Sequence, residues 1–145
     1  MADENNINLS LMNGKKGVIM GVANDHSIAW GIAQSLSAAG AELAFSYQSE
    51  TLKKRVEPLA KGLGSGLIYP CDVESSEDIE NFFNSIRNKW ENIDFLVHAI
   101  AFSDKDQLKG EYYNTTKENF IKTMLCCLSN VYAKHFRGRK SACLA

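Results

Sequence analysis

Residues 17–31 read GVIMGVANDHSIAWG, and this stretch decides the fold. The apolar run Gly17 to Met20 has the composition of a strand covered on both faces of a parallel sheet. Gly21 ends it. A polar turn follows, and from Ile28 the apolar residues take helical spacing, with Ile28, Ile32 and Leu36 four apart and Ala29 and Ala33 beside them. Strand, tight turn and helix in that order offer the backbone N–H groups of a helix start to an anion. In a β-α-β unit that anion is a dinucleotide pyrophosphate.

The glycine spacing departs from the ordinary G-x-G-x-x-G. Six residues lie between Gly21 and Ile28, so the turn is longer. Ser27, the last residue before the helix, has two readings: a capping hydroxyl, or a donor to phosphate. Gly31 lowers helix propensity by about 1 kcal/mol relative to Ala. Close approach of the helix to the strand or ligand is its expected reason, and a tolerated glycine is the alternative. A valine at Gly21 is expected to block the pyrophosphate by filling the turn.

Outward from this unit, residues 1–13 read as a leader, with Leu9, Leu11 and Met12 placed near the first strand and Asn13-Gly14 marking a turn. Gly40 ends the first helix. Ala41 to Tyr47 is a second strand. Ser49 to Thr51 opens a second helix with Leu52, Val56 and Leu59 on its buried side, and Pro58 is expected to bend or end it. Glycines 62, 64 and 66 lead into a third strand, Leu67 to Cys71. Ser75 with Asp78 forms a capping-box pattern before Ile79, Phe82, Phe83, Ile86 and Trp90, the apolar face of a third helix. Ile93 to Ile100 is a fourth strand. After a polar loop over 103–114, Thr115 with Glu118 starts a further helix whose apolar side is Phe120, Ile121, Met124, Leu125 and Leu128. Residues 129–145 form an atypical tail.

Four short apolar strands alternating with three helical segments define an α/β chain. The expectation is a partial doubly wound parallel sheet, Rossmann-like, in strand order 3-2-1-4, within an incomplete dinucleotide-binding domain over 14–128. Ligand would lie over the carboxyl ends of the strands, at Gly21 and Val22, Tyr47 and Gln48, Asp72 and Val73, and Ala99 to Phe102. The Asp or Glu usual at the end of the second strand is missing. Gln48 takes that place, with Glu50 two residues on, which favours NADH over NADPH while Lys53 and Arg55 keep the phosphate form open. Asp72 either accepts the adenine amino group or caps its loop.

Composition excludes other classes. The net charge of -1 gives no attraction to nucleic acid or anionic membrane. No apolar run approaches the ~20 residues that span a bilayer, and the polar start MADENNINLS is no signal peptide, so a cytoplasmic address is expected. Asn8-Leu9-Ser10 and Asn114-Thr115-Thr116 then carry no glycan. Cys71, Cys126, Cys127 and Cys143 match neither a disulfide framework nor zinc spacing, so no metal site is expected. His98 reads as a core histidine, and the basic cluster Lys134 to Lys140 as a solvated tail. The open edge of the fourth strand favours self-association and low solubility.

The segments GVANDHSIAWGIA at 21–33, SYQSE at 46–50, CDVESSEDI at 71–79, FLVHAIAF at 95–102 and DQLKGEYYNTTKENF at 106–120 closely resemble the bacterial enoyl-acyl-carrier-protein reductases. These are NADH-dependent enzymes of fatty acid synthesis in the divergent branch of the short-chain dehydrogenase/reductase superfamily. The resemblance runs from about Gly14 to about Met124. It implies pyrophosphate-side contacts at Gly21, Ala23, Ser27 and Ile28, an adenosine-ribose contact at Gln48, and adenine contacts at Asp72 and Val73. It further implies that Ala99, Ile100 and Ala101 pass the nicotinamide-side ribose. The family commonly has Ser, Ile and Gly there, so Ala99 lacks a hydroxyl.

The family reduces the trans-2 double bond of an acyl chain carried on acyl carrier protein, using a Tyr hydroxyl and a Lys spaced Tyr-x6-Lys after a fifth strand. In this sequence Tyr132 is followed seven residues later by Arg139, and Lys140 is eight away. The expectation is therefore the cofactor-binding half of a reductase, with no catalytic residue of its own and an origin in truncation or a frame shift. A nucleotide-binding or subunit-interaction fragment without catalysis is the alternative.

Overall fold

The computed structural model describes residues 11–127. The leader up to residue 10, Leu128 and the tail over 129–145, with Tyr132, Arg139 and Lys140, lie outside the described residues.

Four parallel strands, β1 (Lys16–Met20), β2 (Glu42–Tyr47), β3 (Ile68–Pro70) and β4 (Phe95–His98), form one sheet in the order β3-β2-β1-β4. The order is the expected one. Between them run α1 (Ile28–Ala38), α2 (Glu50–Gly62) and α3 (Ser76–Arg87), and α4 (Lys117–Cys127) follows β4 after two short 3-10 turns. Side chains alternate along each strand and feed two cores. Val18, Met20, Ala44 and Leu96 meet Ile79, Phe82, Phe83 and Ile86 of α3 on one face. On the other, Ile19, Leu43, Phe45 and Val97 meet Ala29, Trp30 and Ala33 of α1 and Val56 and Ala60 of α2. Burial on both faces is what makes the strand sequences continuously apolar.

The first helix is rotated from its expected setting. Ile28 is 79% exposed, while Ala29, Trp30 and Ala33 are buried and Ile32 and Leu36 flank them. The two alanines let the helix approach the sheet, and Trp30 supplies the bulk that Ile28 was expected to give. Gly31 faces outward, and a Cβ there would meet nothing within 4 Å, so close packing against the strand is not its reason. Gly17 is the glycine that packing requires. It sits opposite Phe95 in the β1–β4 register, and a Cβ there would fall inside the Phe95 ring.

Pro58 neither ends nor replaces α2, which runs through it to Gly62. The proline is on the exposed side, while Val56 and Ala60 fix the helix to the sheet around it. Leu11 is 74% exposed and does not pack on the first strand. The third and fourth strands are shorter than expected, although Phe45 N–H donates to Leu67 O and Cys71 N–H to Tyr47 O, so ladder bonds flank β3 at both ends. Ser75 caps α3, accepting from the Asp78 N–H at 3.2 Å. At α4 the bond comes from Thr116, not Thr115: its Oγ1 accepts from the Asn119 N–H at 3.2 Å.

The apolar side expected for α4 is outside. Phe120, Ile121, Met124 and Leu125 are exposed, whereas Asn119 and Cys126 are buried. The helix therefore turns a polar side chain and a thiol towards the body of the domain.

Candidate functional site

The site begins where β1 stops. Gly21 has φ +104°, a conformation that side chains disfavour, and a Cβ on it would collide with the Ala99 carbonyl. The turn after β1 and the exit of β4 thus run backbone against backbone, joined by the Ala99 N–H donating to Met20 O at 3.0 Å. The expected effect of a valine at Gly21 is corrected accordingly: the side chain would meet Ala99 of the protein itself, so the substitution strains the fold first.

Beyond Gly21 the turn is held by its own polar groups. The Ser27 hydroxyl donates to Asn24 O at 2.6 Å and accepts from the Ala23 N–H at 3.4 Å. The Asn24 side chain accepts from the His26 N–H at 2.9 Å. Ser27 occupies the N-cap position with extended backbone but makes no side-chain capping bond. Of its two readings, the side-chain cap is thus not realised. Its hydroxyl shapes the turn, and the first N–H groups of α1 keep no side-chain acceptor among the described residues. Such groups at a helix start favour an anion.

Over the carboxyl ends of the strands lies a cleft of about 210 Å³, bounded by Gly21, Val22 and Ala23 on one side, Ser46, Tyr47, Gln48 and Leu52 on another, and Cys71, Ala99, Ile100 and Ala101. A second cavity of about 240 Å³ shares Gln48, Cys71 and Ile100 with it and continues past Val73, Glu74 and Phe102 to Lys122 and Cys126 of α4. The structure therefore brings Gly21, Ala23, Gln48, Ala99, Ile100 and Ala101 to the first cleft and Val73 to the second. Ser27 and Ile28 stand at the helix mouth, outside both linings. Asp72 also lines neither; its Oδ1 accepts from the Glu74 N–H at 3.0 Å, the loop-capping arrangement.

Sequence reasoning missed Ser46, Leu52, Glu74, Lys122 and Cys126 as wall residues. Cys71 could have been found, since it directly precedes Asp72 at a strand end. Lys122 and Cys126 carry no such signal, because they reach the cavity only through the way α4 folds back. There the Cys126 thiol meets Glu74 Oε1 at 3.4 Å.

The electrostatics are quiet inside and active at the rim. Burial, with the charges of Asp78 and Asp72 behind it, pushes the Cys71 thiol up to about 12, so it stays protonated. Burial also pushes the His98 imidazole down from its ordinary value, so it is neutral in the β4 core. At the start of α2, the Lys53 ammonium lies 3.6 Å from Glu50 Oε1 and 5.7 Å from the centre of the Tyr47 ring. Glu50 first, then Tyr47, raise its pKa. Among the described residues no helix is long and apolar enough to cross a membrane, and no three His, Cys, Asp or Glu side chains are grouped to hold a metal ion.

A parallel β3-β2-β1-β4 sheet, a glycine turn after β1 and a cleft at the point where the strand order reverses place the chain among the doubly wound, Rossmann-like α/β proteins. Within that class it belongs to the enoyl-(acyl carrier protein) reductase family, whose model matches residues 21–135. The match passes Met124, where the resemblance was expected to fade. The enoyl-[acyl-carrier-protein] reductase [NADH] 2 of Rhizobium meliloti (strain 1021) is 58% identical over 120 residues, 82% of this chain and 45% of that protein. Among solved structures, FabI from Candidatus Liberibacter asiaticus is 56% identical with a TM-score of 0.79, covering 81% of this chain and 45% of that one. The reductase of Anaplasma phagocytophilum, solved in complex with NAD, is 56% identical with a TM-score of 0.75 over 78% of this chain and 43% of its own. The chain spans less than half the length of these relatives.

Proposed function

We propose that this chain is the NADH-binding half of an enoyl-acyl-carrier-protein reductase and that its 145 residues bind the cofactor without turning it over. The observation that carries the reading is the cleft in which Gly21 and Ala23 face Ala99, Ile100 and Ala101, with Gln48 at its far wall. Small residues, Gly21 and Ala23 with Ala99 and Ala101, line the groove, so a pyrophosphate can approach with little side-chain obstruction, and the start of α1 supplies donors beside it. Ser27 acts by holding the turn, Ile28 by placing its N–H at the helix start, Gln48 by hydrogen-bonding a ribose, Val73 by lining the side of an adenine, and Asp72 by capping the loop that carries Val73. NADH, when bound, supplies the hydride.

The Glu50 carboxylate favours the unphosphorylated ribose. It occupies Lys53 and would repel a 2′-phosphate. Tyr132 has Arg139 and not a lysine seven residues on, which supports a chain that does not turn the cofactor over. For the complete enzyme the partner is an acyl chain on acyl carrier protein. The four cysteines lack the spacing of a disulfide framework, which supports a cytoplasmic address. β4 ends the sheet among the described residues, and its outer edge supports self-association by strand addition.

Titration of the purified chain with NADH, followed by cofactor fluorescence, and NADH oxidation with a short trans-2-enoyl thioester test this directly. Saturable binding without oxidation is expected. Oxidation above the no-protein control overturns the assignment of an inactive half, and the lack of any saturable NADH signal overturns the cofactor reading. Sedimentation velocity is expected to show species larger than one chain; a single monomeric boundary at all concentrations removes the self-association.

A further inference from the structure

The segment leaving β4 forms one wall of the cleft yet has little backbone support. After the Ala99 N–H bonds to Met20 O, residues 100–103 make no backbone–backbone hydrogen bond among the described residues; the next begins at the Asp104 carbonyl, which accepts from Gln107. The support comes from α4. Asn119 is 5% exposed, and its Oδ1 accepts from the Asp104 N–H at 3.1 Å while its Nδ2 donates to Ser103 Oγ at 3.1 Å. Its own N–H and carbonyl are satisfied within the helix by Thr116 Oγ1 and the Thr123 hydroxyl. A turn further on, Lys122 lies 3.6 Å from Asp104 Oδ1 and 4.6 Å from the centre of the Phe102 ring.

Ile100 packs against the α3-side core, and beyond it a buried amide that spends both ends of its side chain on Ser103 and Asp104 fixes the path of a segment that has no backbone–backbone hydrogen bond of its own among the described residues. We propose that Asn119 is a positioning residue for cofactor binding: through Ser103 and Asp104 it holds Ile100 and Ala101 at the cleft. The proposal rests on the NADH reading above. In a doubly wound sheet the pyrophosphate lies at the β1 turn and the adenosine on the β2–β3 side, so the other nucleotide extends towards β4. The wall fixed by Asn119 therefore serves the nicotinamide half, and the adenosine half does not depend on it. Sequence inspection gives no hint of this role, because Asn119 reads as an ordinary polar residue on the first turn of a helix.

The test compares NADH with ADP, which carries the adenosine and pyrophosphate but no nicotinamide. Asn119→Ala is expected to weaken NADH about tenfold while ADP stays within about twofold, since a lost buried bond acts on the nicotinamide side alone. Amide hydrogen exchange over residues 100–104 is expected to quicken in the same variant. Ser103→Ala should move both readouts in the same direction but less. Thr123→Val removes a hydroxyl that bonds Asn119 only within the helix, so it should leave the NADH to ADP ratio unchanged. An Asn119→Ala chain that folds and keeps the wild-type ratio overturns the proposal, as does a Thr123→Val chain that shifts the ratio equally. If Asn119→Ala does not fold, an unchanged ratio in Ser103→Ala overturns it. Wild-type chain that binds neither ligand sinks the NADH reading and this inference together, whereas wild-type binding with an unmoved ratio sinks the inference alone.

Discussion

Gly21 and Ala99 meet backbone to backbone, so the turn after the first strand and the exit of the fourth share a boundary that leaves no room for a Cβ. The contact joins the turn at the helix mouth to the wall that runs on to Asn119. Two parts of the candidate site, far apart in sequence, thus share one boundary.

Gly21→Ala is expected to destabilise the chain by about 2 kcal/mol or more, from the left-handed backbone at this position and the collision with Ala99. Urea denaturation measures it. A midpoint equal to that of the wild type would show that the turn can move away and that the contact is not fixed.

Gly17 and Phe95 give a test with an internal control. Gly17→Val alone should destabilise strongly, because the new side chain and the Phe95 ring claim the same space. Combined with Phe95→Ala it should cost less than the sum of the two single changes, with a coupling of about 1–3 kcal/mol. Simple additivity would contradict the packing described for the β1–β4 pair.

His98 makes stability fall in mild acid. Burial holds its folded-state pKa below the ordinary value of 6.5, so the unfolded chain binds the proton first. Its contribution is complete above the unfolded pKa and is lost as pH falls from there through the folded pKa. Melting temperatures measured from pH 8 to pH 5 should decline more steeply for the wild type than for His98→Asn. Parallel curves would mean that His98 can be protonated in place.

Glu50→Gln should change cofactor choice without changing the fold. With its carboxylate gone, Lys53 loses that ion pair and the local repulsion of a 2′-phosphate falls. The preference for NADH over NADPH is expected to narrow by about three- to tenfold at low salt and less at high salt, since the pair is exposed. An unchanged ratio at low salt would separate Glu50 from the ribose end of the cleft.

The sequence by itself determined the parallel α/β class and the glycine turn, because these follow from local signals: short runs apolar at every position, capping patterns before helices, and a glycine between strand and helix; the strand order follows once the order usual for that class is applied. It also named Gln48 and Ala99 to Ala101, since the carboxyl ends of such strands must lie along one side of the sheet. Tertiary structure decided the rest. Periodicity chose Ile28 for the inner face of α1, but only packing could show that Ala29 and Ala33 allow the close approach and that Trp30 fills the space. Gly17 gave no local sign of its purpose, which comes from Phe95 some eighty residues away. Asn119 and Cys126 face inward while Phe120 and Leu125 stay outside, an inversion of the hydrophobic pattern. The buried amide meets the segment after β4, which makes no backbone–backbone hydrogen bond over 100–103 among the described residues, and hydrogen-bond satisfaction there depends on a partner that a linear pattern does not contain.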